Sequence, residues 1–120
     1  MTVNDVRERA GAAREFLQVA EEQFAYTVGP EPSAAAQVSA SNSILAGIAA
    51  SDALCGRVLG VRASDGAHAA AADLLATVLP QGRLLAVKLR RLLRDKSQLQ
   101  YGTYCTPARA SEMLRHARSC

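Results

Sequence analysis

Apolar residues recur three and four positions apart along most of this chain, which is the spacing of one face of an α-helix. The first such stretch predicts a helix over Val3–Val28, with Thr2 and Asp5 forming a capping box at its start. Gly29 and Pro30 should end it. Its inward positions are Val6, Ala10, Ala13, Leu17, Ala20, Phe24 and Val28.

The second stretch predicts a longer helix that starts at the N-cap Ser33 and reaches Leu59, where Gly60 supplies a stop. Its apolar residues occupy more than one face, so we expect it to lie at the centre of the fold. It also carries small residues that would let neighbouring helices approach closely, namely Ser43, Ala46, Gly47 and Ala50.

Three further helices follow from the same spacing. They are predicted over His68–Leu79, over Arg83–Tyr101, and from Pro107 onward behind the N-cap Thr106. Few β-branched or aromatic residues are present, and no segment alternates apolar with polar positions. The expected fold of residues 1–120 is therefore a single all-α domain, an up-and-down antiparallel bundle of four main helices plus a short C-terminal fifth.

Composition narrows the class of protein. The 120 residues are 49% hydrophobic and 21% charged, and the longest uninterrupted apolar run, Ile44–Ala50, is too short for a membrane span. The first residues lack the apolar core of a signal peptide, so we expect a cytoplasmic protein. Three cysteines and two histidines without paired spacing predict neither a disulfide framework nor a metal site, and no cofactor motif is present.

The formal net charge of +3 conceals an asymmetry: residues 1–60 carry four bases and seven acids, and residues 61–120 carry ten bases and four acids. Several bases share the fourth predicted helix: Arg83, Lys88, Arg90, Arg91 and Arg94. Such a run could follow a phosphate backbone, but base-stacking aromatics are missing from it except at its end. A solvated face, or a contact with Glu21 and Glu22 of a second subunit, is the favoured interpretation.

Asp52 and Lys96 each interrupt an apolar face of a helix predicted to be central. We expect them to pair across the bundle, because losing either would leave the other buried without a counter-charge. An ion pair that fixes helix register is favoured over a ligand site. Tyr101 and Tyr104, at the end of the fourth helix, could form the mouth of a polar groove or pack between helices.

A general acid or base is hard to assign. Arg62 and His68 are separated by five residues, a spacing at which the arginine could hold a phosphate while the histidine transfers protons, but this motif is loose. His116, beside Arg115 and Arg118, is predicted to be exposed. The Cys105 thiol precedes an N-cap, and no base lies near it in the sequence.

The order of elements resembles that of the HEPN (higher eukaryotes and prokaryotes nucleotide-binding) superfamily over about residues 5–118. The stretches that carry the resemblance are AASDALCG (residues 49–56), a glycine-bearing loop ending at His68, RDKSQLQY (residues 94–101) and TPARASEMLRHA (residues 106–117). The resemblance implies an up-and-down bundle that is often dimeric. Many such domains are ribonucleases or partners of minimal nucleotidyltransferases in toxin–antitoxin operons.

Ribonuclease members of that superfamily share an Arg, a gap of four to six residues and a His shortly before a Tyr. Here Arg94 and Tyr101 match, but Leu99 stands where the His should be and cannot transfer a proton. The sequence therefore favours a non-catalytic member that binds a protein partner or a nucleotide-bearing ligand through Asp52, Arg94, Lys96, Tyr101 and Tyr104. The alternatives are a metal-independent ribonuclease using Arg62 and His68, and a basic RNA-binding module.

A homodimer is also predicted, from the small residues of the second helix and the opposed charge of the two halves. A nucleotidyltransferase-type protein partner is what the resemblance implies.

Overall fold

The computed structural model describes residues 2–59, 82–94 and 104–118, and every regular element in these ranges is an α-helix. The helices are α1 (Val3–Ala25), α2 (Ala34–Leu59), α3 (Gly82–Arg94) and α4 (Pro107–Arg118). The all-α prediction is confirmed. The helix predicted over His68–Leu79, and the part of the fourth predicted helix beyond Arg94, lie outside the described residues.

Short polar side chains begin three of the four helices as predicted. At α1, the Asp5 N–H donates to Thr2 Oγ1 (3.1 Å) and the Thr2 N–H donates to the Asp5 carboxylate (2.9 Å). The hydroxyl oxygens of Ser33 and Thr106 accept in the same way at the starts of α2 and α4, at 3.1 and 3.2 Å. Each bond satisfies a backbone N–H that has no partner within its own helix.

The prediction that the first helix continues to Val28 is wrong, because α1 ends at Ala25. Its last turn tightens: the Thr27 hydroxyl and N–H both donate to the Phe24 carbonyl, at 2.7 and 3.0 Å. The Tyr26 N–H likewise donates to the Gln23 carbonyl (3.1 Å), so the carbonyls of Gln23 and Phe24 are satisfied at the end of the helix. Val28 is 85% exposed, and Gly29 then turns the chain with a φ of +69°, a conformation that favours glycine.

α1 and α2 form an antiparallel hairpin. Near its closed end, the Ser39 hydroxyl donates to the Ala20 carbonyl (2.7 Å), and near its open end Arg9 pairs with Asp52 (3.2 Å). Ala20 and Ala36 are fully buried in this hairpin, so the two backbones approach closely.

α2 is the central helix, as predicted, because it packs against α1, α3 and α4. The small residues Ser43, Ala46 and Gly47 are buried within the chain. These residues therefore pack between helices of one molecule and do not support dimerisation, so the homodimer stays a prediction.

The segment Ala34–Arg57 of α2 is long and apolar enough, by length and composition, to cross a membrane. Of its most apolar window, 61% is buried inside the bundle. The core helix of a soluble protein meets the same criterion, and so does a signal sequence.

α4 closes the hairpin at one end. The Ser33 N–H donates to the Cys105 carbonyl (3.1 Å), which holds the segment before α4 against the start of α2. At the other end of α4, Arg118 Nε donates to Glu21 Oε1 (2.9 Å) on α1. Between these points α4 contributes Met113 and Leu114 to the core, each 2% exposed.

Candidate functional site

Asp52 forms an ion pair with Arg9 between α2 and α1. Arg9 Nη2 lies 3.2 Å from Asp52 Oδ2, and the two side chains are 29% and 13% exposed. The sequence predicted Lys96 as the partner of Asp52, and Lys96 lies outside the described residues. Arg9 was missed, although it stands three positions from Val6 on the inward side of α1, which is the signal that could have identified it.

The neighbours of Asp52 on α2 are buried and small. Ser51 and Cys55 are 3% and 2% exposed. Burial raises the pKa of the Cys55 thiol, and the nearby Asp52 carboxylate raises it further. Burial likewise raises the pKa of the Cys105 thiol, so both groups stay protonated at neutral pH and neither is an activated nucleophile.

α3 presents an exposed surface in which two apolar side chains lie among arginines. Leu84 and Val87 are 59% and 40% exposed, and the opposite face of the helix buries Ala86 and Leu89 completely. We define the α3 surface as Arg83, Leu84, Val87, Arg91 and Arg94, all of them exposed.

The two acids that the sequence suggested as contacts for these arginines form hydrogen bonds within the chain. Glu21 accepts from Arg118 Nε (2.9 Å), and Glu22 accepts from Gln18 Nε2 (3.0 Å). In the part of the chain that the structure describes, Arg83 and Arg91 have no acidic partner. The α3 surface is therefore positively charged and open to solvent.

His116 is buried, and the prediction that it is exposed is wrong. The imidazole belongs to a broad inward face of α4 and is 7% exposed; that face comprises Ala110, Met113, Leu114, His116 and Ala117. Burial lowers the pKa of His116, and the positive charges of Arg115 and Arg91 lower it further. The Glu112 carboxylate, 3.8 Å from Nε2, acts in the opposite direction.

The stability of the fold should therefore depend on the protonation of His116. A folded pKa below the ordinary histidine value of 6.5 means that the unfolded chain binds this proton more readily. The stabilising contribution of neutral His116 is present above about pH 6.5 and is lost as the pH falls through the folded pKa. We expect the stability difference between the wild type and His116→Gln to shrink from about pH 7.5 to about pH 5 in urea titrations. A pH-independent difference would contradict this.

α4 also carries an arrangement that the sequence analysis missed. Arg109 and His116 are separated by six residues, which is within the gap of the ribonuclease pattern, and both approach Glu112: Arg109 Nη1 lies 4.0 Å from its carboxylate. The spacing alone could have revealed this pair. It departs from the pattern because the imidazole is buried.

The other predicted site residues lie on different segments or outside the described residues. Arg94 ends α3 on its exposed side, and Tyr104, 57% exposed, precedes α4. Arg62, His68, Lys96 and Tyr101 are not among the residues described. Within residues 2–59, 82–94 and 104–118, no three His, Cys, Asp or Glu side chains come together as metal ligands would.

Comparisons of this chain with protein family models, curated proteins and solved structures find no match.

Proposed function

We propose that this chain is a non-catalytic, HEPN-like helical bundle that binds an acidic protein partner through the α3 surface. In this proposal the chain is an up-and-down bundle of four main helices, one of them the helix predicted over His68–Leu79, and α4 is the short C-terminal fifth helix. The antiparallel α1–α2 hairpin and the 12-residue length of α4 support that arrangement.

The observation that carries the proposal is the exposure of Leu84 and Val87 among arginines that have no acidic partner within the described residues. An apolar centre surrounded by arginine is typical of protein interfaces, in which arginine is enriched and lysine depleted. Arginine forks also match carboxylate geometry, which favours an acidic partner. No aromatic side chain that could stack a base lies on α3, so the same helix suits single-stranded RNA poorly.

The partner suggested by the HEPN-like layout is a nucleotidyltransferase-type protein in a toxin–antitoxin or related operon. The alternative acidic partner is a second copy of this chain, since residues 1–60 carry three more acids than bases. The two occupants can be separated by measuring the mass of the complex.

The test is to co-express the chain with the product of the neighbouring gene and to measure the complex by light scattering and calorimetry. Leu84→Glu and Arg91→Glu should each weaken the complex at least tenfold, about 1.4 kcal/mol. Val19→Glu is the matched control because Val19 is 37% exposed on α1, away from the α3 surface. Equal weakening by all three variants, or no complex, would contradict the proposal. Self-association lost in Leu84→Glu would identify a second copy as the occupant.

A metal-independent ribonuclease is the second candidate function. The observation that favours it is that Glu112 on α4 lies near both Arg109 and His116. A neutral imidazole beside a carboxylate could act as a general base if RNA reached it. Its burial argues against such access. Incubation of RNA with the purified protein should give no cleavage. Cleavage that is lost in His116→Ala or His68→Ala would overturn the non-catalytic assignment.

A further inference from the structure

A groove of about 610 Å³ lies at the open end of the α1–α2 hairpin. Its lining comes from the first turns of α1 and the last turns of α2: Thr2, Val3, Val6, Arg7, Ala10, Gly56 and Arg57. The volume is in the range of small-molecule sites in proteins, about 300 to 1,000 Å³. The uncharged lining is mostly apolar, and one arginine from each helix completes it.

Among the residues that the structure describes, no acid neutralises either arginine of the groove. The positions three and four residues away on α1 hold no acid for Arg7, and those on α2 hold none for Arg57. Across the described ranges, neither guanidinium has an ion-pair partner, in contrast to Arg9 and Arg118. The groove therefore concentrates two positive charges beside apolar side chains.

The backbone at the start of α1 adds to the positive potential of the groove. The capping box uses the N–H groups of Thr2 and Asp5, which leaves the N–H of Val3 without an intrahelical acceptor at the groove. The positive end of the α1 dipole lies there as well. Two carboxylates lie near the groove: that of Asp5 accepts the Thr2 N–H (2.9 Å) at the start of α1, and that of Asp52 lies one turn before Gly56 on α2, where Arg9 offsets its charge.

We propose that this groove binds a phosphate monoester with an apolar group. Two arginines can hold a dianion through paired N–H···O bonds, and they match the two negative charges of a phosphate monoester better than the single charge of a carboxylate. Val3, Val6 and Ala10 would cover the apolar part of the ligand. This site is separate from the α3 surface, so the two proposals can fail independently.

The experiment is calorimetric titration of the full chain with phenyl phosphate, benzoate and inorganic phosphate. Phenyl phosphate should bind at least roughly tenfold more tightly than the other two, because only it supplies both the dianion and the apolar ring. Arg7→Gln and Arg57→Gln should each weaken its binding by about tenfold. Arg14→Gln is the matched control, since Arg14 is an exposed arginine of α1 that does not line the groove, and it should leave binding unchanged.

Ala10→Leu places a larger side chain in the groove and leaves both arginines in position. It should abolish phenyl phosphate binding in a protein whose circular dichroism is unaltered. Retention of binding in Ala10→Leu would overturn the assignment to this groove, and so would equal weakening in Arg14→Gln. Equal affinity for benzoate would overturn the choice of a dianion, and absence of binding at millimolar phenyl phosphate would overturn the proposal.

Discussion

Replacement of Leu89 by alanine should lower the free energy of unfolding by about 3 kcal/mol. Leu89 is fully buried on the inward face of α3, which packs against α2 and α4. The truncation removes apolar contacts and leaves a cavity in a region whose other buried side chains are mostly alanine, so little can move to fill it. Urea titration followed by circular dichroism measures the change.

The matched control is Leu84→Ala, the same substitution on the same helix at a side chain that is 59% exposed. Its effect on stability should stay within about 0.5 kcal/mol. Its effect on partner binding should be the larger one, since Leu84 belongs to the α3 surface. Equal destabilisation by the two variants would show that α3 does not bury the face described above.

Asp52→Ala should destabilise the protein by about 2 kcal/mol, between the values for exposed and fully buried ion pairs. The carboxylate is 13% exposed, and its removal leaves the Arg9 guanidinium, 29% exposed, without this counter-charge in the α1–α2 interface. Arg9 Nε is buried with no hydrogen-bond partner, so the pair already has an unmet donor. Thermal and urea unfolding measure the loss.

A double-mutant cycle of Arg9→Ala and Asp52→Ala then measures the interaction energy between the two side chains, apart from their other contacts. A coupling of about 1 kcal/mol between the two substitutions is expected for groups in direct contact. Glu15→Ala, at an exposed acid of α1, is the control and should have almost no effect. Additive effects of Arg9→Ala and Asp52→Ala, together with coupling between Asp52→Ala and Lys96→Ala, would favour the predicted partner Lys96 over Arg9.

The helix starts could be predicted from the sequence because their causes are local. Thr2, Ser33 and Thr106 each act on a backbone N–H three residues away, so the chain segment contains everything that the cap requires. The central position of α2 was equally predictable, because apolar residues on several faces leave no face for solvent. The end of α1 could not be predicted in this way. The apolar spacing continues to Val28, but the chain turns earlier, where the Thr27 hydroxyl bonds to the Phe24 carbonyl.

The candidate site was less predictable, because it depends on contacts between distant segments. Asp52 was predicted to pair with Lys96, which stays a prediction; the pairing of Asp52 with Arg9 follows from the packing of α1 on α2, which no local pattern indicates. His116 shows the same limit: neighbouring arginines suggested exposure, and the tertiary fold buries the imidazole nonetheless. The groove at Arg7 and Arg57 combines two helix ends that are 50 positions apart in sequence, and no local pattern connects them.

The alanine contacts of the hairpin have a consequence at its far end. Ala20 and Ala36 are fully buried near the turn, and the Arg9–Asp52 pair joins the same two helices near the open end. The spacing of the groove walls at Val6 and Gly56 therefore depends on the packing along the whole length of α1 and α2. A bulkier side chain at either alanine would alter which molecules fit between those walls without touching any of them.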